Sequence, residues 1–333
     1  MRAILIKKHG SPEDMFLEEL PTPKPGPGEV LIDVHAIGLN FPDLLVISGQ
    51  YQSLPPLPFV PGMEAAGLVS AVGEGVSHRK PGDRVMAKLN YGGYAEQAIA
   101  PEKYCYIFPE SMSFTQAAAM GIVYQTAHFA LIDRAQYAPG ETVLVNGASG
   151  GVGLAAVQLA KALGATVLAG VSNREKAEVA IAGGADHIID LAAVDLKESV
   201  RSQVRETTDG RGADVILDPV GGEVFEASLR ALAWQGRIVV IGFTAGRIPA
   251  VKTNYLLLKN ISVAGLYLNT YLAREPARVQ RVQEELFDLF LEGKIEPQVM
   301  KTFSIEQFAD ALKTIQERRA WGKIVLTTGR ETK

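Results

Sequence analysis

The feature that most constrains this chain is a glycine-rich turn between an apolar segment and a helical one. Thr142–Asn146 is a short run of β-branched and apolar residues, which favours a buried strand. The turn Gly147–Gly153 follows directly, and the segment after it has helical composition up to Gly164. Glycine is common in any turn, but a strand before this one and a helix after it indicate a phosphate-binding turn. The segment therefore predicts dinucleotide binding.

Three residues of the turn occupy the glycine positions of the G-x-G-x-x-G fingerprint, with Ala148 at the first, Gly150 at the second and Gly153 at the third. The second position must let a pyrophosphate approach the backbone, and the third must let the helix sit close to the sheet. We expect the backbone of Gly150, Gly151 and Val152 to hold the phosphates, because amide groups at a helix start bind anions.

Strand, turn and helix alternate after Thr142, as in a parallel α/β sheet. The predicted strands are Thr142–Asn146, Thr166–Val171, His187–Asp190, Asp214–Leu217, Arg237–Gly242 and Ser262–Leu268. Six strands with this spacing match a doubly wound dinucleotide-binding fold, the Rossmann domain. The earlier part of the chain is broken by pairs such as Pro55-Pro56 and Pro81-Gly82, which is typical of an all-β barrel.

A chain of 333 residues favours two domains. We expect residues 1–122 and 269–333 to form a barrel-containing catalytic domain and residues 123–268 to form the Rossmann domain. The cleft between two domains is the expected place for a small-molecule ligand.

The residues after the second predicted strand indicate which dinucleotide binds. An NAD site needs an acidic residue there to hold the ribose hydroxyls, and none follows the strand immediately. Ser172 and Asn173 can donate hydrogen bonds, while Arg174 and Lys176 can neutralise a 2′-phosphate. The alternative is that both cations belong to a solvated helix face. The pattern predicts NADPH as the cofactor.

Composition excludes several other classes of function. The net charge of −4 gives no broad basic field, so we expect neither a nucleic acid nor an anionic membrane as partner. The chain has no apolar run of the roughly 18 residues that span a bilayer and no signal-peptide core, so we expect a cytoplasmic protein. Cys105 is the one cysteine, which excludes an internal disulfide, and its setting predicts a packed side chain in a strand.

Three motifs carry a family resemblance. They are Asn40-Phe41-Pro42-Asp43, the segment Pro61–Gly67 and the turn Ala148–Gly153. With the proline-rich first part, they make the chain similar to the medium-chain dehydrogenase/reductase superfamily, and most similar to its zinc-independent quinone oxidoreductases, the group of ζ-crystallin. The resemblance covers nearly the whole length and implies a GroES-like β-barrel domain joined to a Rossmann domain.

The resemblance also implies that no metal takes part in catalysis. Zinc-dependent relatives bind their catalytic metal through a cysteine, a histidine, and a second cysteine or an acid. Asn40, Met63 and Ile122 stand at those places here, and none is a usual zinc ligand. A site rebuilt from His35, Cys105 and Glu64 would have to use different positions, so we expect none.

The resemblance assigns roles to several side chains. It makes Asn40 and Tyr51 the candidate catalytic residues and places both near the nicotinamide. In related enoyl thioester reductases the matching tyrosine is the proton donor, and the alternative for Tyr51 is packing against the cofactor. Thr126 falls where the family contacts the nicotinamide end, although a mid-helix threonine is often only structural. Lys323 either reaches the cofactor or is a surface charge. Further residues, expected to line the ribose and nicotinamide slots, are Val220, Gly242, Phe243, Leu266 and Tyr267.

Without a metal to polarise an alcohol, the most available reaction is hydride transfer from NADPH to an electrophilic conjugated acceptor. We therefore expect a quinone or an α,β-unsaturated carbonyl as substrate. Two alternatives remain, an enoyl thioester reductase and a non-catalytic NADPH-binding protein. The sixth predicted strand lies at the sheet edge and is apolar, so we also expect a homodimer formed through this edge.

Overall fold

The computed structural model describes residues 1–330, which divide into two compact units. The first unit contains residues 1–122, residues 272–287 and the chain from Pro297 onward; the second contains residues 123–271 and 288–296. Residues 269–271 and 288–296, which we expected with the barrel, group with the second unit. The reason is their contacts: the Tyr271 ring packs against the Phe129 ring with centroids 4.3 Å apart, and Gln158 exchanges hydrogen bonds with the backbone of Glu296.

Strands and helices alternate along most of the chain. Within residues 1–330 the strands are β1 (Arg2–Leu5), β2 (Phe16–Glu19), β3 (Glu29–Gly38), β4 (Glu64–Val72), β5 (Arg84–Lys88), β6 (Gln97–Pro101), β7 (Cys105–Ile107), β8 (Thr142–Asn146), β9 (Thr166–Val171), β10 (His187–Asp190), β11 (Ala213–Asp218), β12 (Leu232–Val240), β13 (Ser262–Gly265), β14 (Val299–Ser304) and β15 (Lys323–Thr327). The α-helices of the same range are α1 (Phe41–Ile47), α2 (Phe114–Ala118), α3 (Gly121–His128), α4 (Gly151–Ala162), α5 (Arg174–Ala182), α6 (Leu196–Glu206), α7 (Gly222–Ala231), α8 (Thr253–Lys259), α9 (Leu268–Arg274), α10 (Pro276–Leu291) and α11 (Phe308–Gln316). A π-helical turn, Phe129–Arg134, follows α3.

The first unit is built around a mostly antiparallel sheet. Its strands follow the order β14-β15-β3-β4-β5-β7, and β6 pairs with β3. The long strand β3 is the centre of this sheet, because it pairs with β4, β6 and β15. Its apolar side chains, such as Ile32 and Ile37, belong to the core of this unit. The last strand of the chain therefore completes the sheet that the first part begins.

The second unit contains a parallel sheet with the order β10-β9-β8-β11-β12-β13. This is the 3-2-1-4-5-6 order of a doubly wound fold, which confirms the predicted architecture. All five residues of β8 are buried, as expected for a central strand with both faces covered. Helix α4 has Leu163 as its C-cap, and Gly164 follows with a φ of +86°. The helix end predicted at this glycine is therefore confirmed.

Three predicted strands differ from the observed ones. The fourth is longer by one residue at each end, at Ala213 and Asp218. The fifth begins earlier, at Leu232, and ends at Val240, so that Gly242 lies beyond it. The sixth ends at Gly265 rather than Leu268, because its neighbour β12 ends at Val240, the residue paired with Gly265. The apolar run continues past that point, and Leu268 instead begins α9.

Across the part of the chain that the structure describes, no helix combines the length and the apolar character needed to cross a membrane.

Candidate functional site

The glycine turn links β8 to α4 at the carboxyl end of the sheet. Gly147 adopts a φ of +61°, so the left-handed residue is the one before Ala148, and the alanine at the first fingerprint position needs no positive φ. A Cβ atom on Gly153 would lie 2.1 Å from the carbonyl oxygen of Gly147. Only glycine at this position allows the helix to approach the turn so closely, as the fingerprint requires.

The start of α4 presents backbone donors at the same edge. Gly150 is the N-cap residue, and the first intrahelical bond runs from the amide of Leu154 to the Gly150 carbonyl, at 2.7 Å. The amides of Gly151 and Val152 therefore have no acceptor within the helix. Such an arrangement favours a negatively charged group, and a dinucleotide pyrophosphate fits it.

The predicted cofactor-selecting residues follow β9, next to the glycine turn. Ser172 is exposed at the strand end, and the Asn173 side chain caps α5 by accepting a 2.9 Å bond from the Lys176 amide. The Arg174 side chain is 93% exposed and contacts Glu178 one turn along the helix, at 3.0 Å. A surface pair of this kind is worth about 0.3–0.5 kcal/mol, so a phosphate can compete for the guanidinium.

The residues predicted to line the ribose and nicotinamide slots lie at the carboxyl ends of β11, β12 and β13. Gly221, after β11, has a φ of +74°, and a Cβ atom there would lie 3.0 Å from the Phe243 ring. A Cβ atom on Gly242 would likewise lie 3.3 Å from the carbonyl oxygen of Pro219. Leu266 is buried after β13, and Tyr267 is 44% exposed. Val220 precedes Gly221 in the same loop.

Thr126 lies within α3 and is buried. It belongs to the second unit, as do the residues of the glycine turn.

A buried ion pair organises part of the first unit. Lys323 begins β15 and donates three hydrogen bonds, to Glu64 at 2.6 Å, to the Asn40 side-chain oxygen at 2.8 Å and to the Leu39 carbonyl at 2.7 Å. The lysine and glutamate side chains are only 4% and 5% exposed. An ammonium group has three donors, and all three are used within the protein. The surface-charge alternative for Lys323 is therefore wrong, and its donors do not point to a ligand.

Asn40 is held equally firmly. Its amide nitrogen donates to Glu64 at 2.8 Å and to the carbonyl of Gly38 at 3.2 Å, while its oxygen accepts from Lys323. Both amide hydrogens are thus committed inside the fold. These bonds fix the N-cap of α1 and leave no side-chain hydrogen of Asn40 for a ligand.

Asp43 strengthens the same N-terminus. Its carboxylate accepts hydrogen bonds from the backbone amide of Asn40 at 2.8 Å and from the Tyr94 hydroxyl at 3.0 Å. Burial raises the pKa of Asp43 to about 6, despite the opposing effects of the Asn40 amide and Lys323. Burial also lowers the pKa of nearby Lys88 to about 8. The helix thus starts on a cluster of buried charges.

Tyr51 follows α1 and is half-buried. Its amide donates to the carbonyl of Leu45 at 3.1 Å, and its ring packs against the core of the first unit. The bonds around Asn40 hold one end of α1, and Tyr51 lies just beyond the other end.

Sequence reasoning considered Glu64 only as a metal ligand and missed its pairing with Lys323. The signal was a buried acid and a basic residue 259 positions apart, which sequence alone cannot pair.

The places of the zinc ligands in metal-dependent relatives have other roles here. Met63 belongs to the apolar core, and the backbone amide of Ile122 donates to Glu64 at 3.0 Å. Cys105 is buried in β7, as predicted, and burial raises the pKa of its thiol to about 12. Among residues 1–330, no group of three His, Cys, Asp or Glu side chains is arranged to hold a metal ion.

Comparison with known proteins agrees with this architecture. The family model of the alcohol dehydrogenase GroES-like domain matches residues 26–110, and that of the zinc-binding dehydrogenases matches residues 151–288. Quinone oxidoreductase-like protein 2 of Rattus norvegicus is 42% identical over 307 residues, which are 92% of this chain and 87% of the relative.

Two solved structures are similar over almost their full length. The Escherichia coli quinone oxidoreductase in complex with NADPH is 34% identical, with a TM-score of 0.90 over 98% of this chain and 100% of that chain. A mycobacterial protein in complex with NADPH is 33% identical, with a TM-score of 0.92 over the same shares of the two chains. This chain is therefore an oxidoreductase that belongs to the medium-chain dehydrogenase/reductase superfamily, in its zinc-independent quinone oxidoreductase group.

Proposed function

We propose that this protein is a metal-independent, NADPH-dependent reductase whose substrate is a quinone or an α,β-unsaturated carbonyl. The observation that carries the proposal is the glycine turn, with Gly153 against the Gly147 carbonyl and the amides of Gly151 and Val152 at the start of α4. The NADPH complexes of the two similar structures support the same cofactor.

The second unit fits NADPH better than NADH. The strand next to the turn ends without a carboxylate at position 172 or 173, where NADH would need one for its ribose hydroxyls. We assign the 2′-phosphate to the Ser172 hydroxyl and to the cations Arg174 and Lys176. The bound cofactor supplies the hydride that reduces the acceptor.

In the first unit, we propose that Tyr51 is the side chain that gives a proton to a reduced enone. Its phenol is an ordinary general acid, and its half-buried position leaves part of it accessible. Asn40 and Lys323 support this tyrosine indirectly, because their bonds fix the N-terminus of α1, the helix that ends just before it. Neither is proposed to touch the cofactor.

The cofactor contacts predicted at the ends of β11, β12 and β13 remain part of this proposal. They are Val220, Gly242, Phe243, Leu266 and Tyr267, together with Thr126 in α3. The five loop residues share a position at the carboxyl edge of the parallel sheet, which supports them because open α/β sheets bind ligands there.

The test is a panel of acceptors assayed by NADPH consumption with the chelated, metal-depleted protein. It includes a quinone, an enone, an enoyl thioester and a simple ketone. We expect turnover with the quinone or the enone, and no dependence on added zinc. Turnover of the enoyl thioester alone would assign the protein to that reaction instead. Tight NADPH binding without turnover of any acceptor would favour a non-catalytic role.

We further propose a homodimer formed through β13. This strand pairs with β12 on one side only and ends the parallel sheet of the second unit. The preceding helix α8 exposes Leu257 and Leu258 at 77% and 75%. An open strand edge and exposed leucines in the helix before it favour a second copy as their cover, because both would otherwise promote nonspecific association.

A further inference from the structure

Three buried polar side chains meet beneath the carboxyl edge of the parallel sheet. Asn146 is the last residue of β8, Asp218 is the last residue of β11, and Ser228 lies in α7; each is 0% exposed. The Asn146 amide nitrogen donates to Asp218 Oδ1 at 2.9 Å and to Ser228 Oγ at 2.9 Å. The two strands at the centre of the sheet are thereby joined through their terminal side chains.

The Asp218 carboxylate also shapes the loop that follows it. Its Oδ2 atom accepts the Gly221 amide at 3.0 Å, and its Oδ1 atom accepts the Val220 amide at 3.3 Å. Burial raises the pKa of Asp218, and the bonds from Asn146 and the two loop amides oppose that rise. A buried carboxylate needs such donors, so the loop is held in the one conformation that points both amides inward.

This loop contacts the glycine turn. A Cβ atom on Gly147 would lie 3.0 Å from Val220 Cγ2, and Gly147 directly follows Asn146 in the chain. The pair Asn146 and Asp218 therefore sets the spacing between the turn and the loop. In a doubly wound sheet the first three strands hold one mononucleotide and the last three hold the other. Asp218 ends the fourth strand of this order, on the second half.

We propose that Asp218 and Asn146 are positioning residues that hold the Pro219–Gly221 loop in the conformation needed by the nicotinamide half of NADPH. This inference rests on the proposed function. The adenosine half, which is assigned to the ends of β8 and β9, does not depend on the loop. The two residues act through Val220 and Gly221 and need not contact the cofactor themselves.

The test compares two ligands on the full-length Asp218→Asn variant. The new amide nitrogen must face either Asn146 or a loop amide, which places a donor against a donor. NADPH affinity, measured by fluorescence titration, should fall at least about tenfold, the factor of one lost charge-assisted hydrogen bond. The affinity for 2′,5′-ADP, which lacks the nicotinamide half, should not change. The exposed N-cap variant Asp195→Asn is the matched control and should change neither affinity.

A swapped pair strengthens the test. The double variant Asn146→Asp with Asp218→Asn restores a donor facing an acceptor between the two positions and still offers an oxygen to Gly221. It should regain part of the NADPH affinity, because only the weaker 3.3 Å bond from the Val220 amide then faces a nitrogen. Should Asp218→Asn fail to fold, Asn146→Ala removes the shared bonds without opposing two donors and should give the same split between ligands.

An equal loss for NADPH and 2′,5′-ADP, or no loss for either, would overturn the inference. Absence of NADPH binding by the unmodified protein would instead refute the proposed function, so the two failures are distinguishable.

Discussion

Lys323 and Glu64, 259 positions apart in the chain, form a 2.6 Å ion pair inside the first unit. The pair links the start of β15 to the start of β4, the two strands that flank β3, and both partners also bind Asn40. Removing one partner of a buried pair leaves the other charge without compensation. Such a change destabilises a protein by about 3–5 kcal/mol.

We therefore expect Lys323→Met to lower the free energy of unfolding by about 3–5 kcal/mol in urea denaturation. The control Lys313→Met removes an exposed lysine that lies 4.0 Å from Glu317, and should cost under about 1 kcal/mol. The double variant with Glu64→Gln should lose less than the sum of the two single variants. Additive losses would show that the two side chains are not energetically coupled.

Cofactor preference should depend on the two cations after β9, exposed Arg174 and half-buried Lys176. The combined change Arg174→Ala and Lys176→Ala is expected to weaken NADPH binding by about 2–3 kcal/mol, because charge-assisted bonds to the 2′-phosphate are lost. NADH binding should not change, since NADH has no such phosphate. Arg201→Ala, which removes another exposed arginine paired with a glutamate at 3.2 Å, is the control. Equal affinities of the unmodified protein for both cofactors would contradict the assignment.

The hydroxyl of Tyr51 should matter for enones and much less for quinones. If it donates the proton, Tyr51→Phe should lower kcat for an enone by roughly 10²-fold, within the range of general acid catalysis. A reduced quinone oxygen is a weaker base that water can protonate, so quinone turnover should be nearly preserved. Tyr51→Ala tests the alternative that the ring only packs against the cofactor, because loss of the ring would then weaken NADPH binding. Unchanged enone turnover in Tyr51→Phe would assign the proton to another donor.

Asp43 should make stability depend on pH in the acid range. Its pKa is about 6 in the folded protein against an ordinary value of 3.8, so between these values the folded state binds more protons than the unfolded one. The contribution of this group to the free energy of unfolding therefore decreases as pH rises from about 4 to about 6. Asn at this position does not titrate and keeps an oxygen for the Asn40 amide.

The stability of Asp43→Asn relative to the unmodified protein should accordingly increase over this pH range, by an amount on the order of 3 kcal/mol, and level off above it. Denaturant unfolding at several pH values measures the difference. Asp195→Asn, at an exposed N-cap, should show no such increase. A constant difference between Asp43→Asn and the unmodified protein would show that Asp43 is ionised throughout the range.

The proposed dimer predicts a scattering mass of twice the 35.8 kDa chain at micromolar concentration. Leu257→Arg combined with Leu258→Arg should shift the protein towards the monomer, because each arginine would have to be desolvated in the interface. Val194→Arg, at a fully exposed position in the loop before α6, is the matched control and should leave the mass unchanged. A monomer for the unmodified protein would contradict the dimer.

The local signals in the sequence determined the second unit well. The strands β8, β9 and β10 have the predicted bounds, because short apolar runs between glycine turns have few alternatives to a buried strand. Gly153 was assigned its packing role for the same reason, since the fingerprint states a local geometry. The sixth strand of this sheet, β13, was less predictable. Its apolar run gives no sign that pairing stops at Gly265, which depends on the length of β12.

Only the tertiary structure decided the partners of the buried polar groups. The sequence marks Asn40 and Lys323 as candidates for ligand contact, yet the fold uses their hydrogen-bond donors internally, because β15 returns beside β3 after nearly the whole chain has passed. Asn146 and Asp218 meet for a related reason, since β8 and β11 pair directly although β9 and β10 lie between them in the chain. Residue type and local pattern fixed which groups could do chemistry, whereas long-range strand pairing decided which donors remain for a ligand.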